Sequence, residues 1–441
     1  MKKPHLLPLI LLLLLAWSEP TEAQNSTLRN FLQEGLQNNY SLKVVRNDEQ
    51  TAANNNTLAN AGALPTVDLS VGYTGNLDNS KSTDRLTGSV THNRGALDHT
   101  FTAGVAAEWT VFDGFKIQTN ISRLRELQRQ GETATRMAIE DYMANLASEY
   151  FNLVQQEIRY KNLLYAVKLS KERLRIAEER YLIGDNSRLD YRQAGVDFNA
   201  DSAECLKQIE VLATSRIRLN ELMASNSITR QITVSDTVIR LDMELDYDSL
   251  LAGMLRSNSQ LLNAAHNQRL AAIDLKAVRS RDYPYLRLNA GYGYTHNRYG
   301  FGSTSKRNNL GLNFGATIGF NLFDGNRRRE RANAKLAAES AAWERQDLEV
   351  SLRAQLADLW QAYQNNKRLL NLERQNLIVA RENHAIAYER FLLGDLAGIE
   401  MREAQNSLLD AEDRLLTAEY DTKVCEISLL QISGHITHYL E

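Results

Sequence analysis

The sequence predicts a mixed α and β membrane protein with an internal two-fold repeat. Each chain gives four strands to a shared β-barrel, which continues into a long α-helical coiled coil. Three observations predict this. An export leader opens the chain, and no later apolar run approaches the roughly 20 residues a spanning helix needs. Two ordered sets of landmarks recur about 210 residues apart. Four alternating strands come in two pairs, and each pair leads into a long stretch without proline.

The leader comes first. Lys2 and Lys3 supply its basic start, Leu6 to Ala16 its apolar core, and Thr21-Glu22-Ala23 the small residues before a cut after Ala23. Residues 1–23 are therefore read as a signal peptide. No Cys follows the apolar core, so the N-terminus offers no thiol for lipid attachment.

Residues 24–227 form the first repeat. A helix is expected from Thr27 to Asn60, and strands at about 66–76 and 100–112. Val67, Leu69, Val71 and Tyr73 alternate with Asp68, Ser70, Gly72 and Thr74; Phe101, Ala103, Val105, Ala107, Trp109 and Val111 alternate with Thr102, Gly104, Ala106, Glu108 and Thr110. The residues between, Gly75 to Thr100, read as a loop outside the cell. A long helix follows over 116–182, about 100 Å at 1.5 Å per residue, and then a shorter helix over 187–224. Residues 228–245, with Ile232, Val234, Val238 and Ile239 among Thr and Ser, read as a linker crossing the outside of the coil where shorter helices stack end to end.

Residues 246–441 repeat the plan: a helix, strands at about 285–296 and 309–322, a loop from Thr295 to Asn309, a long helix over 327–392, and a helix over 396–432. Outside the leader only Pro65 and Pro284 remain of the five prolines. In the long helices Leu146, Tyr150, Leu153 and Val154, and again Leu356, Leu359, Trp360 and Tyr363, recur at spacings of three and four, the pattern of paired helices. The strands have the length and alternation of tilted membrane strands, with Tyr73, Trp109, Tyr285, Tyr294 and Phe320 near their ends. A half-buried sheet in a soluble sandwich has the same period; the leader and the long helices favour the barrel. Four strands cannot close, and an open edge in lipid leaves amides unpaired. Two, three or four copies must share the barrel.

Several function classes find no support. A net charge of -3 gives no reason to expect nucleic acid. Cys205 and Cys425 sit far apart in helical segments and make neither a disulfide framework nor a metal cluster. Of eight histidines only His435 and His438 are close, with no acidic or Cys cluster beside them in sequence. Phosphate-loop and nucleophile-elbow motifs are absent. No cofactor, metal or enzyme activity is expected.

From about Leu28 to His435 the ordered set of motifs resembles the TolC-like outer membrane efflux protein family. The resemblance rests on the repeat, on Phe112-Asp113-Gly114 and Phe323-Asp324-Gly325 at the strand exits, and on the turns Gly184-Asp185 and Gly394-Asp395, followed by Leu189-Asp190-Tyr191 and Ile399-Glu400-Met401. It implies a homotrimer whose 12-stranded barrel continues into a periplasmic tunnel. It also implies residence in outer membrane lipid, with a large periplasmic portion. The implied function is an exit duct, passing substrates from a periplasmic adaptor and an inner-membrane transporter to the exterior in efflux or type I secretion. By position, Glu400 and Glu403 look like the acidic residues of the family's narrow entrance, where many members carry Asp; Asp190 is their first-repeat counterpart. Gly184, Asp185, Gly394 and Asp395 look like the helix tips that meet the adaptor. The alternative is a structural or adhesive trimeric envelope protein without transport.

Overall fold

The computed structural model describes residues 27–185, 187–241 and 244–440; the expected leader lies outside the described residues. In chain order the elements are α1 (Leu28–Asn38), α2 (Tyr40–Asn55), β1 (Thr66–Thr83), β2 (Val90–Asp113), α3 (Lys116–Leu182), α4 (Arg188–Leu222), α5 (Tyr247–Ser257), α6 (Ser259–Arg279), β3 (Tyr285–Arg298), β4 (Lys306–Gly319), α7 (Arg327–Leu393) and α8 (Gly398–Ile432), with 3-10 turns at Ser280–Asp282 and Ile436–Leu440. Both α3 and α7 have 67 residues. The chain divides into two compact units. Among the described residues, one comprises those up to Val44, Arg136–Asn258 and those from Val350 onward; the other comprises Val45–Thr135 and Ser259–Glu349.

The second unit holds one antiparallel sheet in the order β1-β2-β3-β4, with β1 and β4 at its edges. Register aligns Val71, Ala103, Tyr294 and Leu310 in one row and Leu69, Val105, Tyr292 and Leu312 in the next. The opposite face carries Ser70, Gly104, Gly293 and Gly311, and Gly72, Thr102, Thr295 and Asn309. One face is thus apolar and the other small and polar, as the period of two requires. The apolar face is exposed within the chain: Leu69 is 76% and Phe314 83% accessible.

The strand limits differ from those expected. β1 and β2 continue as one long hairpin, paired as far as Thr83 and Val90, where a loop from Gly75 to Thr100 was expected. The alternation vanishes there because both faces turn polar, while the backbone ladder goes on. β4 starts and ends three residues earlier than expected; its last partner is Tyr285, and the preceding Pro284 has no N–H to extend the ladder.

The first strand exit is built by Asp and Gly. Asp113 Oδ1 accepts the N–H of Ile117 at 2.9 Å and caps α3. Gly114 has φ +71, and a Cβ there would lie 2.2 Å from the Ser280 carbonyl oxygen.

In the first unit the core gathers Phe31 and Leu32 of α1, Tyr142, Leu146, Tyr150 and Val154 of α3, Leu219 of α4, and Ile427 and Leu430 of α8. Ile232, Val234 and Ile239 of the linker pack into it. They form no strand; Tyr150 Oη donates to Asp236 at 2.6 Å and fastens that segment. The expected single helix from Thr27 to Asn60 is broken at Asn39, whose ψ of 124° leaves helical space. Its side chain explains the break: Oδ1 accepts the N–H of Leu42, capping α2, while Nδ2 donates to the Leu222 carbonyl at the end of α4. The second repeat does the same with Asn258, whose Nδ2 donates to the Ile432 carbonyl at 2.9 Å. Deeper in this unit Lys423 and Glu426 form a fully buried ion pair of 2.7 Å, with the rings of Phe151 and Tyr439 over the ammonium.

Candidate functional site

The helix turns of the first unit hold every candidate residue. Both long helices stop the same way. Gly184 (φ +85) donates to the Tyr181 carbonyl and Asp185 to that of Arg180; Gly394 (φ +87) donates to Phe391 and Asp395 to Arg390. These paired bonds are the Schellman close of a helix, which needs a residue at positive φ. No atom lies within 4 Å of a Cβ built at either glycine, so conformation alone selects Gly. Arg180 joins the two turns: its Nη2 donates to the Phe391 carbonyl at 2.7 Å, and its guanidinium lies 5.1 Å from the Phe391 ring centroid.

The acidic residues open the return helices. Asp190 and Ser187 cap α4 reciprocally: Ser187 Oγ accepts the Asp190 N–H at 3.1 Å, and the Asp190 carboxylate accepts the Ser187 N–H at 3.3 Å. Glu400 stands at the matching place in α8 and accepts the Ala397 N–H at 3.3 Å. Both carboxylates therefore have a local task at a positive helix end. Glu403, one turn on, is exposed and shares a face with Glu400.

Between those glutamates Arg402 points the other way. Its guanidinium makes two bonds to the Asp201 carboxylate, 2.6 and 2.7 Å, and so joins α8 to α4. Gln405, fully buried, donates to Asp201 and to the Ala166 carbonyl of α3 at 3.4 Å each. Arg173 of α3 reaches Asp197 at 3.3 Å. The bonds to Asp201 hold Arg402 above its ordinary pKa, whereas burial pushes that of Arg173 down. Sequence reading missed the Arg402–Asp201 pair because its partners lie 201 residues apart. The repeat gives no help: Arg192, the counterpart of Arg402, is exposed over Tyr191, and the counterpart of Asp201 is the buried Ala411.

His435 and His438 do acquire acidic neighbours, since Glu244 and Asp246 line the same pocket. Asp246 is committed to the N–H and hydroxyl of Ser249 at the start of α5. Among the described residues no group of His, Cys, Asp and Glu is placed to hold a metal, and no helix is long and apolar enough to cross a membrane.

Known proteins place this architecture. The chain is 23% identical to the outer membrane protein TolC of Vibrio cholerae over 428 residues, 93% of this chain and 91% of that one. It is 22% identical to the outer membrane efflux protein BepC of Brucella suis over 370 residues, 80% of this chain and 77% of that one. Among solved structures, a membrane protein from Pseudomonas aeruginosa superposes with a TM-score of 0.77 at 18% identity, covering 92% of this chain and 90% of that chain, a likeness of fold. The family model for outer membrane efflux proteins matches residues 31–225 and 250–435, one span per repeat. The chain belongs to the outer membrane efflux protein family and is a TolC-like protein of the outer membrane.

Proposed function

We propose that three copies close a 12-stranded barrel and a helical tunnel into one exit duct, which conducts substrates passively from a periplasmic adaptor and an inner-membrane transporter to the exterior. One observation carries the reading: a four-stranded sheet, apolar on one face and polar on the other, keeps two edges that only further copies can pair. Pairing β4 of one copy with β1 of the next puts the apolar face toward lipid and the polar face around a lumen.

The entrance lies at the helix turns. Glu403 and Glu400, and Asp190 beside them, form acidic rings on the threefold axis, and such rings attract cations. Glu403 is the foremost of the three, because Asp190 and Glu400 also cap their helices. Gly184, Asp185, Gly394 and Asp395 shape the surface that meets the adaptor. Leu182, Ile183, Leu189, Leu393 and Ile399 support this, since each is at least 74% accessible at those turns. The Arg402–Asp201 pair holds α8 against α4 in the closed entrance, and opening separates them.

Single-channel conductance in a planar bilayer tests the reading, comparing wild type with Glu400→Ala/Glu403→Ala. Small, cation-preferring conductance that grows or loses its preference in the variant supports acidic rings at the constriction. Unchanged conductance moves the constriction elsewhere. Silence from folded wild-type trimers favours a structural or adhesive envelope protein.

A further inference from the structure

One face of the sheet also carries charge of a single sign. β1 runs without an inserted residue, so Asn79, Lys81 and Thr83 share the face of Leu77. The irregularity between Asp78 and Ser80 inserts its extra residue in β2, near Gly95, whose φ is +67 and whose N–H donates to Asn79 Oδ1 at 2.6 Å. Arg94 and His92 therefore fall on that same face. His99, Arg298 and Lys306 form one row of it across three strands. Directly beneath run Tyr73, Phe101, His296 and Asn308, with Tyr73 Oη and His99 Nδ1 2.5 Å apart.

At this end the otherwise apolar face thus presents four permanent cations, Lys81, Arg94, Arg298 and Lys306, all exposed, with three histidines among them. No carboxylate lies on the face. Asp68, Asp78, Asp98 and Glu108 all belong to the opposite one. The face's other end, around Trp109, Leu288 and Ala316, carries no charge.

We propose that this cationic rim binds the phosphate groups of lipids in the membrane leaflet at the hairpin end of the barrel. The proposal rests on the barrel reading above. The apolar rows that cross all four strands stop where the cations begin, and beyond them only the Leu77–Leu97 pair lies among the charges; such a boundary is where acyl chains give way to headgroups. Lys and Arg stems extend along apolar surface and carry their charge to that boundary. Arg meets phosphate oxygens with two parallel bonds. Three copies would present a belt of twelve cations at one membrane face and none at the other, so the two leaflets must differ in phosphate density for the asymmetry to matter.

Native mass spectrometry of detergent-purified trimers tests this with two probes, lipid A and its dephosphorylated form. Wild type should retain lipid A at least ten-fold better than the variant Lys81→Gln/Arg94→Gln/Arg298→Gln/Lys306→Gln. A control, Arg287→Gln/Arg307→Gln on the opposite face, should retain it like wild type. Dephosphorylated lipid A should bind wild type as weakly as lipid A binds the quadruple variant. Equal retention of the two probes by wild type overturns the proposal, and this arm needs no variant to fold. Equal retention of lipid A by wild type and a folded quadruple variant overturns it as well. Conductance of the wild-type trimer is read separately: its absence would sink the barrel, while its presence with indifferent lipid retention would sink only the rim.

Discussion

At the scale of residues, the helix ends show what a two-fold repeat lets one predict. Gly394 and Gly184 need positive φ and nothing else, so Gly394→Ala should cost about 1–2 kcal/mol, visible as a lower melting temperature. The closes of α4 and α8 are instructive because they differ. Gly434 takes φ +76, whereas its counterpart Ala224 takes φ +50, with the same strained handedness and a Cβ to accommodate. Ala224→Gly should therefore stabilise, by roughly 0.5 kcal/mol once the added freedom of the unfolded chain is subtracted. Gly434→Ala should cost more than Gly394→Ala, because its Cβ would also sit 2.9 Å from the Ser257 carbonyl oxygen. A thermal series of the three variants checks both the signs and the order. The Gly-Asp turns were legible in the sequence because one residue type suits that backbone; Ala224 was not, since nothing about an alanine announces positive φ.

At the scale of elements, the long helices and the central strands were legible because each holds one period over many residues. The leading helix was not legible as two, since its break depends on Asn39 reaching the end of a helix far away in sequence. The hairpin beyond Asn76 was hidden for the opposite reason: its ladder persists without an apolar face to mark it. The α7–α8 pair adds a charge pattern that sequence cannot rank. Glu412 and Glu419 face Arg381 and Arg374 at 3.5 and 4.0 Å, yet burial raises both carboxyl pKa values. A raised acid binds its proton more tightly when folded. Stability from these groups is thus complete below their ordinary value of 4.5 and is lost as pH rises through the raised folded values. Glu412→Gln/Glu419→Gln should flatten that part of the melting profile and leave the variant more stable than wild type at pH 7. A steeper slope in the variant would show that the two arginines outweigh the burial.

At the scale of the molecule, the question is whether Arg402–Asp201 is a gate or only a brace, and stability and conduction answer differently. Arg402→Ala leaves the Asp201 carboxylate, in a residue 8% accessible, without its bidentate partner. Breaking such a pair from one side costs about 3 kcal/mol. Removing both charges costs much less, because no buried ion is then left alone. Asp201→Ala/Arg402→Ala should therefore recover most of the melting temperature lost by either single variant. Conduction should not recover. If the pair holds α8 against α4 at the entrance, the double variant lacks the restraint as fully as each single one, and all three should conduct more than wild type. Glu400 and Glu403 remain in place in all three, so cation preference should survive the rise in conductance, whereas it should fall in Glu400→Ala/Glu403→Ala. A double variant with both wild-type stability and wild-type conductance would reduce the pair to a brace and move the restraint to other contacts between the turns, of which Arg180 with the Phe391 carbonyl is the next to test.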